Sequence, residues 1–261
     1  MSLRLLVFDS GVGGLSVLKE IRRRVPAAEI AYVADDAAFP YGDWEGEPLK
    51  DHIVALMGRL IERHRPDAVV IACNTASTLV LPPLRATHAI PFVGTVPAIK
   101  PAAETTKSGV IGVLATPGTM RRDYTRELIR QFAQSCHVRL VGSSELAPLA
   151  EAAMRGEIIE DEAIRIEIEP AFIEVQGRRT DKVVLACTHY PFLLERFQAL
   201  APWPVDWIDP AEAIARRVVS LLGLTEAPEE PRGAGSAYLT SGKSWPAALL
   251  PLLAGFGLKA G

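Results

Sequence analysis

Asp67-Ala68-Val69-Val70-Ile71-Ala72-Cys73-Asn74-Thr75 is echoed by Asp181-Lys182-Val183-Val184-Leu185-Ala186-Cys187-Thr188-His189. Each copy runs through β-branched and apolar residues and stops at a thiol flanked by small polar groups. A buried parallel strand reads this way when it delivers a side chain to a site at its carboxyl end. Two such strands, each offering one thiol, predict two related half-domains facing a shared cleft. A thiol on either side of a substrate would take a proton from one face and return one to the other.

Outward from these two strands, the pattern alternates strand and helix. Leu3 to Phe8 reads as a strand, Asp9-Ser10-Gly11-Val12-Gly13-Gly14 as a glycine-rich turn, and Leu15 to Val25 as a helix. Ile30 to Ala34 is a second strand, Asp35 to Gly42 a loop, Leu49 to His64 an amphipathic helix, and Pro91 to Gly94 a short strand. A second series opens near Gly109. Val110 to Ala115 is its first strand, Thr116 to Thr119 a turn, Met120 to Phe132 a helix and Val138 to Val141 a strand. A long helical stretch covers Ile158 to Val175 with Pro170 as a boundary or kink, Ala211 to Leu222 is a late helix, and Pro228 to Gly235 a surface loop. The alternation predicts an α/β fold of two similar domains with mainly parallel sheets, related by a pseudo-twofold axis. One domain takes residues 1–96 plus 208–261 and the other 97–207, with the active site in the cleft between them.

The 261 residues are 49% hydrophobic, enough for two modest cores. The formal net charge of −3 leaves no overall basic footprint for nucleic acid. The clearest basic run, Arg22-Arg23-Arg24, reads as a solvated helix end. No stretch is apolar for long enough to cross a bilayer, and the N-terminus lacks a secretory signal. Three cysteines without a CxxC pair argue against a disulfide framework and for a reducing cytoplasm.

The glycine turn matches neither GxxxxGK[ST] nor GxGxxG, and Asp9 would repel phosphate. Its backbone N–H groups at a helix start suit a carboxylate instead, with Asp9 and Ser10 facing the cleft. Cys136 lacks a polar echo and reads as core. Cys73 and Cys187 occupy equivalent strand ends and read as functional. A zinc site would use closer ligand pairs, and a disulfide oxidoreductase keeps its thiols in one loop. A Cys–His hydrolase could use Cys187 and His189, although positions two apart do not by themselves make a nucleophile–base pair. His52, His64, His88 and His137 carry no comparable context.

Taken together, several stretches resemble the glutamate racemases of the aspartate/glutamate racemase superfamily. The strongest are Phe8 to Leu15, Ala34-Asp35 running to Pro40-Tyr41-Gly42, Ala72 to Ala76, Gly112 to Thr116 with Thr119, and Ala186 to Pro191. Weaker matches are Pro148 to Glu151, Ile208 to Ala211 and Thr240-Ser241-Gly242. Ser16 stands where threonine is more usual, and Pro210 where serine is common.

The resemblance implies cofactor-independent exchange of the α-proton between L- and D-glutamate, with no metal, supplying D-glutamate for peptidoglycan. Cys73 would act on one face and Cys187 on the other, one as thiolate and one as thiol. His189, paired with Glu151, would activate Cys187. Asp9 would serve as a proton partner or ammonium ligand, because a bare carboxylate disfavours a neighbouring thiolate. Ser10, Asn74, Thr75 and Thr188 would donate to the α-carboxylate. Pro40, Tyr41 and Gly42 would help seat the substrate, with Thr116 and Thr119 also at hand. The resemblance further implies a cytoplasmic homodimer. Two rivals remain: an aspartate racemase or other superfamily member, and a protein-binding role such as gyrase inhibition.

Overall fold

Strands whose residues are buried on both faces must be covered by helices on both sides, and this constraint organises the whole molecule. The computed structural model describes residues 3–227 and 231–261. Its first half runs β1 (Arg4–Asp9), α1 (Leu15–Arg24), β2 (Glu29–Ala34), α2 (Gly46–His64), β3 (Ala68–Ile71), α3 (Asn74–Thr87) and β4 (Phe92–Gly94). The chain continues through α4 (Ile99–Thr105), β5 (Val110–Ala115), α5 (Pro117–Met120), α6 (Asp123–Phe132), β6 (His137–Gly142), α7 (Leu146–Met154) and α8 (Asp161–Ile168). A small hairpin, β7 (Glu174–Val175) and β8 (Arg178–Arg179), precedes β9 (Lys182–Ala186), α9 (Leu194–Leu200) and β10 (Asp206–Ile208). The tail adds α10 (Ala211–Leu221), β11 (Gly235–Leu239), α11 (Leu250–Gly255) and β12 (Lys259–Ala260).

The larger sheet has the order β12-β11-β2-β1-β3-β4 and the smaller one β10-β9-β5-β6. Every neighbouring pair in both is parallel. If β1, β2, β3 and β4 are matched with β5, β6, β9 and β10, the two orders are the same. The β3/β9 equivalence read from the sequence echo is therefore also an equivalence of topology. In each sheet the chain reverses its direction of winding beside the first strand, which opens a crevice at the carboxyl ends there.

Alternation along the strands distributes the cores. Leu5 and Val7 of β1 pack with α1 and α10 on one face, while Leu6 and Phe8 pack with α2 and α3 on the other. In the smaller sheet, Ile111 and Val113 face α4 and α6, whereas Leu114, Val183 and Leu185 face α7, α8 and α9. Cys136 packs against this second core.

Four expectations need correction. The stretch from Ile158 to Val175 is not one helix. It ends at Ile168, tightens into a 3₁₀ turn over Glu169–Ala171, and then enters the β7–β8 hairpin. Pro170 has no N–H to continue the ladder, so the helix stops there rather than kinking. Thr116 to Thr119 is not a plain turn, because Pro117 opens α5 and the Thr116 hydroxyl caps it by accepting from the Thr119 N–H. The Pro228 to Gly235 loop falls partly outside the described residues (228–230), and Gly235 already begins β11.

The fourth correction is the arginine run. Only Arg23 is solvated; Arg22 and Arg24 are 6% and 7% exposed. Arg22 Nη1 donates to the carbonyls of Pro26 (2.8 Å) and Ala28 (2.7 Å), and Nη2 to that of Ala234 (3.3 Å). Arg24 pairs with Glu212 (2.8 Å) and Glu226 (3.1 Å). The tail folds back over the end of α1, so a helix terminus that looks exposed locally is covered by residues far along the chain. Among the described residues, no helix is long and apolar enough to cross a membrane.

Arg22 thus stitches α1 to the following turn and to the approach to β11 through hydrogen bonds from a charged donor, a strong class. Arg22→Ala is expected to lower unfolding stability by about 2–4 kcal/mol, against within about 0.5 kcal/mol for Arg23→Ala. Urea denaturation of the two variants would measure both, and equal losses would contradict the stitching role.

Candidate active site

Parallel pairing sets what stands beside each thiol. Phe8 pairs with Ile71, so two steps on, Ser10 lies beside Cys73. Ala115 pairs with Ala186, so one step on, Thr116 lies beside Cys187. Each strand-end thiol therefore has a hydroxyl neighbour from the first strand of its own sheet. Ser10 Oγ is 3.9 Å from Cys73 Sγ.

Both thiols line one narrow cleft and are 6% exposed. Ser10, Pro40, Tyr41, Gly42, Asn74, Thr75, Thr116, Thr188 and His189 line it with them. Asp9, Thr119 and Glu151 stand one layer behind. The cavity volume is about 20 Å³, room for about one water molecule. An amino acid is too large for this volume as it stands.

The first wall is joined to the second by Asp9. Its Oδ1 accepts from the Gly11 N–H (3.0 Å) and the Ser10 hydroxyl (3.4 Å), and its Oδ2 from the Thr188 hydroxyl of the opposite wall (2.9 Å). Ser16 adds a second link, its hydroxyl donating to the Thr188 carbonyl (3.0 Å). The hydroxyls of Thr75, Thr116 and Thr119 form a triangle across the cleft, with edges of 2.8, 3.1 and 3.2 Å.

His189 anchors the second wall. Its Nδ1 is 3.7 Å from Cys187 Sγ, and its Nε2 is 2.9 Å from Glu151 Oε1. That same oxygen accepts the Val12 N–H at 2.8 Å. The glycine turn does receive carboxylates on its N–H groups, but they are the protein's own, Asp9 at Gly11 and Glu151 at Val12. Close approach explains the glycines. A Cβ on Gly13 would lie 2.5 Å from His189 Nδ1 and 2.7 Å from Thr188 Oγ1, and one on Gly11 would collide with the Glu151 carboxylate.

The electrostatics differ between the two sides. Burial, reinforced by the Asp9 charge, pushes the Cys73 thiol far above its ordinary range. Burial also raises Asp9 itself, against the opposing pull of His189 and the Gly11 N–H. At His189 burial disfavours the cation, but the hydrogen bonds and charges of Cys187 and Glu151 together outweigh it and hold the imidazole well above its usual pKa. Burial likewise raises Glu151, but the hydrogen bond and charge of His189, the Val12 N–H and the Arg155 charge together leave the carboxyl lowered. The group beside Cys187 thus favours its cationic form, whereas a buried carboxyl group stands beside Cys73. Asn74 is 2% exposed, and neither polar atom of its amide has a partner among the described residues. It is a polar group held ready for something else.

Two cleft residues were not singled out from the sequence. Phe39 places its ring 5.6 Å from that of His189, and Ala147 of α7 closes the floor. Adjacency to Pro40 signals Phe39, whereas Ala147 carries no chemical group that would mark it. His52, passed over as lacking context, lies 2.7 Å from buried Asp35.

The family profile described as Asp/Glu/Hydantoin racemase matches residues 7–218. A glutamate racemase of Sinorhizobium medicae is 59% identical over 256 residues, covering 98% of this chain and 94% of that protein. The crystal structure of Escherichia coli glutamate racemase in complex with L-glutamate and the activator UDP-MurNAc-ala is similar with a TM-score of 0.90. It shows 40% identity and covers 100% of this chain and 97% of that one. The Thermus thermophilus glutamate racemase in complex with β-chloro-D-alanine is similar with a TM-score of 0.74 and 28% identity, covering 100% and 97%.

The Cys73 environment fixes a pH response. Alkylation of Cys73 by a small haloacetamide is expected to be slow at neutral pH and to climb on the alkaline side of the ordinary thiol range. Asp9→Asn should bring the climb to lower pH by removing the adjacent negative charge. Mass spectrometry of the Cys73 peptide across pH reads this out, and a profile that Asp9→Asn leaves unmoved would refute the coupling.

Proposed function

We propose that this chain, which belongs to the Asp/Glu/hydantoin racemase family, interconverts L- and D-glutamate by proton transfer at Cα through Cys73 and Cys187. It is an amino-acid racemase, and its product serves peptidoglycan synthesis. The observation that carries the two-thiol reading is that equivalent strands of two topologically matched sheets deliver their thiols to one cleft.

The chemistry balances with the groups present. A thiolate takes the α-proton from one face, the electron pair passes to Cα and its carboxylate, and the opposite thiol returns a proton to the other face. One sulfur ends protonated and the other ionised, ready for the reverse reaction. The unequal surroundings suit this division. His189, whose imidazole favours its protonated form, stands 3.7 Å from Cys187, while burial and Asp9 raise the Cys73 thiol.

Glu151 does not touch the cleft; it orients His189 and balances its charge, and the Val12 N–H holds Glu151 in turn. Asp9, behind the lining and bonded to both Ser10 and Thr188, would act as proton partner or ammonium ligand once the cleft admits substrate.

An unactivated α-carbanion needs stabilisation at the carboxylate. Ser10, Asn74, Thr75 and Thr188 supply donors for it, and the Asn74 amide has no partner among the described residues. Tyr41 and Gly42 open a 3₁₀ turn, so their N–H groups have no partner within it and suit the second carboxylate. Thr116 and Thr119 lie across from Thr75 and complete the same polar wall. A cavity this narrow excludes bulk water, which strengthens each of these interactions.

We place the domain division at 1–96 plus 208–261 and 97–207. Sheet membership supports it, since β1 to β4, β11 and β12 share one sheet and β5, β6, β9 and β10 the other. On the family resemblance, the enzyme is a homodimer of the cytoplasm.

The test uses L-glutamate and, separately, L-aspartate in deuterated water without added cofactor. Loss of optical rotation and entry of deuterium at Cα are expected for glutamate. Cys73→Ala and Cys187→Ala are each expected to lower turnover by about a thousandfold or more. Turnover with the α-hydrogen retained would sink the thiol mechanism, and turnover of aspartate instead would replace the substrate.

A further inference from the structure

We infer that His52, on α2 outside the cleft, is a positioning residue for the substrate seat: through Asp35 it holds the Tyr41 hydroxyl and with it the Pro40–Gly42 turn. The inference rests on the racemase reading above, in which that turn receives a substrate carboxylate. Asp35 follows directly on β2 and is 1% exposed. Donors from three separate segments converge on its carboxylate. The Tyr41 hydroxyl donates to Oδ2, His52 Nε2 lies 2.7 Å from the same oxygen, and the Thr240 hydroxyl, just past β11, donates to Oδ1. The Asp35 N–H donates to the Asp9 carbonyl at 2.8 Å, so the carboxylate is rooted on the strand that carries Asp9. Asp36 repeats the pattern, accepting the N–H (3.0 Å) and hydroxyl (2.6 Å) of Ser241.

The division of labour follows from which oxygen each donor grips. Thr240 holds Oδ1. His52 shares Oδ2 with Tyr41, so it fixes the direction in which that oxygen meets the tyrosine. Trp44 keeps the imidazole in place: their rings stack at 5.5 Å and 29°, while the indole N–H donates to the Ala38 carbonyl at 3.0 Å. Tyr41 is buried against Phe8 (6.5 Å between rings) and lines the cleft itself. The geometry of the turn inside the cleft is thus set from a helix outside it, by a charged acceptor with good donors.

His52 is also a tractable residue to change. Its side chain is 32% exposed, so His52→Ala admits water rather than leaving a dry void, and Asp35 keeps two hydroxyl donors. His52→Gln places an amide N–H at a reach similar to that of Nε2.

The experiment pairs steady-state kinetics on both glutamate enantiomers with amide hydrogen exchange of residues 36–44 in the substrate-free protein. His52→Ala is expected to raise KM for both enantiomers about tenfold while kcat stays within about threefold, the signature of lost seating rather than lost proton transfer. Exchange in 36–44 should quicken while the rest of α2 stays protected, and His52→Gln should restore both readouts. Unchanged exchange in 36–44, or a lower melting temperature with KM unaltered, would overturn the assignment. So would a fall in kcat at constant KM, which would put His52 in the proton transfer itself. If the wild-type protein fails to turn over glutamate, the racemase reading falls, and the exchange measurement alone decides whether His52 holds the turn.

Discussion

A parallel strand has one carboxyl end, and in this molecule two sheets turn theirs toward each other. Everything at the cleft follows from that constraint. The register of β1 with β3 and of β5 with β9 puts a hydroxyl beside each thiol. Asp9, at the last position of β1, then reaches across to Thr188 and couples the walls. Because these positions are the rigid ends of buried strands, the thiols are held to the precision of a sheet rather than of a loop.

The cleft concentrates groups that a folded protein otherwise avoids burying. Two carboxyl groups, an imidazole and two thiols lie in or behind it, and burial opposes the charged form of each group whose titration it shifts. The protein offsets this by spending backbone N–H groups of the glycine turn on Asp9 and Glu151. A turn that looks like an anion site for a ligand is therefore part of the support for the catalytic side chains. The same economy recurs at Asp35, whose three donors fasten the loop that carries Tyr41. The asymmetry between the thiols arises from their neighbours, Asp9 near Cys73 and His189 near Cys187, and not from the thiols or their strands, which are alike.

The legible parts of the sequence were those where neighbours along the chain are also neighbours in space. Runs such as Val69 to Ala72 and Val183 to Ala186 announce buried strands because both of their faces need cover. Their thiols stand out because polar residues follow at once. The Ile158 to Val175 stretch misled because apolar residues recur on both sides of Pro170; the local mark of the hairpin is Gly177, at positive φ in the two-residue turn between Val175 and Arg178. Arg22 misled for a different reason: the carbonyls it serves include Ala234, far away along the chain.

The amino-acid sequence by itself determined the alternating α/β order, the two equivalent thiol-bearing strands and the glycine turn, because strand burial and helix periodicity are written within a few residues. Only the tertiary structure decided that Glu151 of α7 also meets Val12, that Asp9 meets Thr188, and that His52 meets Asp35; the Glu151–His189 pair came from the family resemblance and not from spacing. These pairs are long-range, each partner is ordinary in its own segment, and the contact exists only once helices have closed over two sheets. A buried charge must find its donor wherever the packed chain brings one, and the spacing of residues along the sequence holds no record of that meeting.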